Sequence, residues 1–210
     1  MEHLIILFFA TFSAAFMATV PPGLLNMNAA KISVEKGRKN GIFFSIGVSV
    51  TVIAQAYIAV LISKYLYNNA YIIDVLLKIA VIVFAVCAIY FFIAARKYKN
   101  KKIVVRDVSR KNSFFKGMLL AMLNLLTIPY YCALNAAWNV SGWIKFEWQD
   151  ILAFILSGAL GTFTVLCLYV IYFNKLEMKT NSFSRYSNYI LSLLMLILVV
   201  ITLIRIFYTE

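Results

Sequence analysis

Two short stretches hold the residues best suited to chemistry. Val20-Pro21-Pro22-Gly23 interrupts an apolar run that opens at Leu4, and Asn124–Pro129 interrupts a second one, Phe114–Trp138. A proline inside a helix removes a hydrogen-bond donor and clashes with the turn before it. In lipid the freed backbone groups must find partners in protein or in a wet cavity. Past each break a new half-helix is expected, over Leu24–Ala30 and over Tyr130–Trp138. Its first N–H groups are unpaired and carry partial positive charge, and the half before it ends in unpaired carbonyls. One pair of such ends can hold both the carboxylate and the ammonium of a zwitterion. Pro21, Pro22 and Gly23 form the first break; Asn124, Thr127 and Pro129 form the second. Asn26, Asn28, Tyr131 and Asn135 lie along the half-helices and can complete a binding site. Gln55, with Ser49 and Thr51, adds polar groups from the next apolar stretch.

Other chemistry is poorly served. No Asp, Glu, Lys, Arg or His lies in the central part of any apolar stretch. Asp74 and Lys78, four apart on one helical face, read as an interfacial ion pair, and Asp74 is the deepest acidic group expected. His3 is expected to be solvated. Cys87, Cys132 and Cys167 lie inside apolar runs without metal-ligand spacing and read as small buried hydrophobes. There is no nucleophile–base pair, zinc signature or phosphate loop. Neither a catalytic residue, a metal nor a cofactor is expected.

The elements that must position these residues are membrane spans. The chain of 210 residues is 63% hydrophobic and 13% charged, which is not a soluble globular composition. Six apolar stretches are long enough to cross a bilayer, which needs roughly 20 residues. They are Leu4–Ala30 (broken), Gly41–Ser63, Tyr71–Ala95, Phe114–Trp138 (broken), Ile151–Phe173 and Tyr189–Tyr208. Glu2 stands where a secretory signal has a basic segment, so the first stretch reads as a retained span.

The net charge of +12 sits almost wholly between the apolar stretches. Sixteen Lys and Arg fall in or beside the first, third and fifth connections and four on the other side. That bias makes the odd connections cytoplasmic and both termini outer. The basic loops thus read as topology determinants facing anionic lipid, not as a nucleic-acid surface. Tyr65, Tyr67, Tyr71, Trp138, Trp143, Trp148 and Tyr208 form interfacial belts.

Three spans followed by three spans is the arithmetic of an inverted repeat. The expected fold is all-α, a single transmembrane domain of six helices in two inverted three-helix repeats, with helices one and four broken. Repeat one covers about 1–95, a basic loop about 96–113, and repeat two about 114–210. The second span of each half carries small residues, Gly41, Ser45, Gly47 and Ser49 in one and Ser157, Gly158 and Gly161 in the other. Such residues let membrane helices approach closely. At 1.5 Å per residue Pro22 lies roughly 27 Å from Leu4, and Pro129 roughly 22 Å from Phe114, so the breaks are expected to flank the midplane.

Several segments together resemble the LysE/RhtB family of amino-acid exporters. They are the Pro-Pro-Gly break, Asn28-Ala-Ala-Lys31, the basic turn Glu35-Lys-Gly-Arg-Lys-Asn-Gly41 and Ser45-Ile-Gly-Val-Ser-Val. Phe115-Lys-Gly-Met, followed by Leu123-Asn124, resembles the start of that family's second half. The order and spacing carry the likeness over nearly the whole chain. The family usually has Pro-Gly-Pro where this chain has Pro21-Pro22-Gly23, and Asn-Pro where this chain has Asn124-Leu-Leu-Thr-Ile-Pro129. The resemblance implies export of amino acids or similar small metabolites across a bacterial inner membrane, usually driven by a gradient. The partners it implies are a small-molecule substrate and the bilayer, with a homo-oligomer left open. The competing reading is a membrane scaffold or assembly protein, in which the breaks are kinks without a cavity. A cation exporter of related architecture should carry intramembrane carboxylates.

Overall fold

The structure is a computed structural model. It describes residues 2–21, 23–68, 110–124 and 126–172, with single residues and short runs scattered through 78–96 and 189–204. Pro22 and Asp74 lie outside the described residues. Six helices follow in order: α1 (Glu2–Thr19), α2 (Leu24–Lys36), α3 (Arg38–Asn68), α4 (Arg110–Met122), α5 (Thr127–Val140) and α6 (Trp148–Tyr172). No strand occurs among the described residues.

Local sequence explains the boundaries. Val20 and Pro21 each precede a proline, a position that disfavours helical backbone, so α1 stops at Thr19. Gly37 and Gly142 take positive φ, 85° and 72°, where α2 and α5 turn out of helix. The half-helices are longer than expected. The second begins at Thr127, not Tyr130, and so places Pro129 in its first turn. There a missing N–H costs nothing, so this proline starts a helix and does not break one. Among the described residues the interruption itself falls at Leu123, Asn124 and Leu126.

Three helices are long and apolar enough to cross a membrane: α1, α3 and α6. The α4–α5 pair makes a fourth candidate if its 65° bend is counted within one span. Their outer faces carry Phe9, Met17, Leu61, Leu119, Leu156 and Leu160, all exposed. That is the surface a bilayer covers. Tyr71–Ala95 and Tyr189–Tyr208, expected as two further spans, fall largely outside the described residues.

The chain forms two compact units, Met1–Tyr65 with Val104–Met178 and Leu66–Ile103 with Lys179–Glu210. Each unit draws on both halves of the sequence. In the second, Ser192 Oγ donates to the Ala88 carbonyl at 2.9 Å, and the Phe92 and Tyr189 rings meet edge-on.

In the first unit, sequence-distant helices pack in parallel. Along α1 and α6 the contacts advance together: His3 with Asp150, Phe12 and Phe16 with Gly161, Val20 with Tyr169. Along α3 and α4 they also advance together: Asn40 with Ser113, Phe44 with Gly117, Gln55 with Ala121. Glycine makes both crossings close. Gly47 lies against the Phe114 carbonyl, and Gly117 against the Phe44 carbonyl, each without room for a Cβ. At Gly161 a Cβ would stand 2.6 Å from the Phe12 carbonyl oxygen. In lipid, where apolar burial between helices gains little, this backbone-level packing is what holds helices together. Phe44, Val48, Phe154, Leu166 and Val170 fill the core behind it.

Gly117→Leu should therefore lower stability by at least about 1–3 kcal/mol, because the added side chain meets backbone that cannot step aside. Gly23→Ala, where a Cβ meets open space, should be close to neutral. Thermal melting of the detergent-purified variants checks both.

Candidate functional site

The first break is closed by side chains. The Asn26 amide nitrogen donates to the carbonyls of Thr19 and Pro21, the latter at 2.9 Å. The Tyr169 hydroxyl, from α6, donates to the Val20 carbonyl at 2.8 Å. Three successive carbonyls left where α1 ends are thus met by two buried or half-buried side chains. The opposite edge is different in kind. No side chain caps Gly23, so the first N–H groups of α2 keep their donor capacity toward an anion. The carbonyl half of the expected zwitterion site is taken by protein, and the donor half is open.

The second break has the same construction. Gln55, from α3, donates its amide nitrogen to the Ala121 carbonyl at 3.0 Å and to the Asn124 carbonyl at 3.4 Å. Thr51 Oγ1 reaches the Met118 carbonyl one turn earlier. No side chain caps the start of α5. The Gln55 amide oxygen is buried and has no partner among the described residues.

The two breaks are therefore held by equivalent devices. Gln55 follows Gly47 by eight residues and Tyr169 follows Gly161 by eight. In each case the glycine sets a close parallel crossing and the later side chain clamps the carbonyls at the end of the crossed helix.

The expected site residues do not gather at one point. Pro21, Gly23 and Asn26 stand together at the first break. Gln55 and the Asn124 carbonyl stand together at the second, with Thr127 opening α5. Asn28 bonds the Leu24 carbonyl in its own helix at 2.7 Å and does not reach the break. Pro129 is exposed. Tyr131 is buried, with its ring edge-on to Phe154 and flush against Gly158. Gly158 and Tyr169 lie eleven residues apart on α6, about 16 Å along the axis. Tyr131 and the first break are accordingly separate places. With 18 residues α1 is about 27 Å long, the length expected before the first break.

Two functional-grade polar groups escaped the sequence reading. Tyr169 could have been found by aligning the halves on Gly47 and Gly161. The other is a pair, and it corrects the expectation of a solvated His3. The His3 Nε2 lies 3.0 Å from Asp150 Oδ1, and Asp150, 0% exposed, also accepts the Lys145 backbone N–H at 2.7 Å. This carboxylate is nineteen residues from Tyr169 along α6, about 28 Å from the first break. No group of three His, Cys, Asp or Glu that could hold a metal occurs among the described residues.

Tyr169→Phe should speed hydrogen exchange of the backbone amides at 24–27 and leave those at 126–130 unchanged. Gln55→Leu should do the reverse. Each loss should cost about 0.5–1.5 kcal/mol of local stability, measured by exchange mass spectrometry in detergent.

No curated protein and no solved structure matches the chain. A sequence model of the LysE type translocator family matches residues 6–205, which takes in both breaks and both glycine crossings. The chain belongs to the LysE type translocator family, whose members are transporters and not enzymes.

Proposed function

We propose that this protein is a secondary transporter exporting small neutral amino acids or related zwitterionic metabolites across a bacterial inner membrane. It works as six spans in two inverted three-helix halves, with both termini on the outer side. The observation that carries this reading is the matched pair of clamps, Gln55 on the second break and Tyr169 on the first. Each is donated by the second span of one half to the broken span of the other, as an exchange-symmetric pair of repeats requires.

Helix direction supports the span count. Parallel packing of α3 and α4 requires the chain between them to return across the bilayer, and Tyr71–Ala95 is the apolar stretch available for that crossing. The Lys and Arg distribution supports the orientation.

Substrate class follows from charge. The start of α2, which no side chain caps, offers donors to a carboxylate. A second ammonium, as on lysine, would enter low dielectric without a carboxylate partner, at a cost of at least several kcal/mol. The buried Asp150 is engaged elsewhere.

The test is the composition of the medium around cells with and without the protein, after loading with dipeptides of neutral or basic residues. Leucine, threonine or homoserine should accumulate outside several-fold faster when the protein is present. Preferred export of lysine or arginine would overturn the substrate class, and no difference for any amino acid would overturn export.

A further inference from the structure

The geometry points to Asn135, on α5, as the residue that binds the head group of the transported amino acid in an occluded site. This rests on the export reading and deepens it. Asn135 is 0% exposed, and neither its amide oxygen nor its amide nitrogen has a hydrogen-bond partner among the described residues. A buried amide is normally satisfied, and one left wholly unmatched calls for an explanation, which a bound ligand supplies. The neighbouring polar groups are already engaged. Four residues before it, the Tyr131 hydroxyl stands beside Thr162 and against Gly158 on α6. Three residues after it, Trp138 Nε1–H donates to Thr11 Oγ1 on α1 at 3.0 Å. Tyr131, Asn135 and Trp138 lie on one helical face. Asn135 is thus bracketed by contacts to α6 and to α1 and is itself left over.

The chemistry of the unpaired amide selects the ligand class. A primary amide offers one strong acceptor and two donors, all neutral. The ammonium of an α-amino acid donates to Oδ1 while its carboxylate accepts from Nδ2. A bare cation satisfies only the oxygen, and an anion only the nitrogen. The flanking aromatic rings of Tyr131 and Trp138 suit an aliphatic body.

Complete burial means that this state is closed to both sides. α5 is joined at one end by Leu123, Asn124 and Leu126 and at the other by Ser141–Glu147, where Gly142 and Phe146 take φ of 72° and 59°. Release of the ligand requires α5 to part from its contacts, Trp138 with Thr11 on α1, Cys132 with Ser63 and Ala59 on α3 and Tyr131 with Gly158 on α6.

The experiment uses purified protein in proteoliposomes. They are loaded with an equimolar mixture of the twenty amino acids plus isoamylamine and ethanolamine, the decarboxylated forms of leucine and serine. Efflux is read by mass spectrometry. The wild type should release neutral amino acids faster than protein-free vesicles; if it does not, export itself falls and this inference with it. Asn135→Leu should melt no lower than wild type, since it removes an unmatched buried amide, yet slow efflux at least about tenfold. Wild-type efflux from Asn135→Leu would overturn the role of Asn135 and leave export standing. Should Asn135→Leu melt lower, Asn135→Asp decides: its carboxylate repels the substrate carboxylate and retains the ammonium contact, so the ratio of amine to amino-acid efflux should rise at least about tenfold. An unchanged ratio would assign Asn135 to the scaffold.

Discussion

Everything in this structure depends on how backbone carbonyls freed inside a membrane are satisfied. The break at Pro21 and the interruption at Leu123, Asn124 and Leu126 leave carbonyls without helical partners, and within a membrane those must be met by protein or by a wet cavity. The protein meets them with side-chain donors from another helix. Those donors reach only because glycine lets the helices touch. Gly161 brings α6 onto α1 and so delivers Tyr169 to Val20; Gly47 and Gly117 bring α3 onto α4 and so deliver Gln55 to Ala121 and Asn124. Break, crossing and clamp are one unit, used twice.

That unit separates two requirements of a carrier. The carbonyl edge of each break is fixed by protein, so the interruption keeps its geometry without a ligand. At the first break no side chain caps the amide edge, which keeps its capacity for an anion; at the second the Thr127 N–H is already bonded to the Asn124 carbonyl. Polar capacity also remains in the Gln55 amide oxygen and in the whole Asn135 amide. Unmatched buried groups of this kind cost free energy in the resting protein, and a ligand that fills them recovers it. A scaffold protein has no use for them.

The sequence made much of this legible, and the limits are physical. The breaks were visible because proline and glycine act through local backbone sterics. The helical, membrane-spanning class was visible because apolar length is a composition property. Gly47 and Gly161 were visible as packing residues, though their partners were not, since contact between α1 and α6 is a property of topology. The same blindness hid the His3–Asp150 pair: each residue sits at the start of its own helix, and only the parallel packing brings them to 3.0 Å. Pro129 was misjudged as a breaker because a proline in a first turn and a proline in a helix interior look alike until the helix start is known. The expected single site became separate places because spacing along a sequence does not fix depth. Gln55 and Asn26 were expected to bind substrate. Their amide nitrogens turn out to hold the breaks in shape.

The account stands or falls on each broken segment being held in parallel by the second span of the other half. Disulfide trapping reads this directly. In a variant with the native cysteines replaced, Asn40→Cys with Ser113→Cys should cross-link rapidly under mild oxidation, because these side chains approach within 3.4 Å at the start of both helices. Asn40→Cys with Met122→Cys should not, since Met122 lies nine residues after Ser113, about 13 Å further along α4. Trapping of the second pair in preference to the first would make α3 and α4 antiparallel and contradict the account.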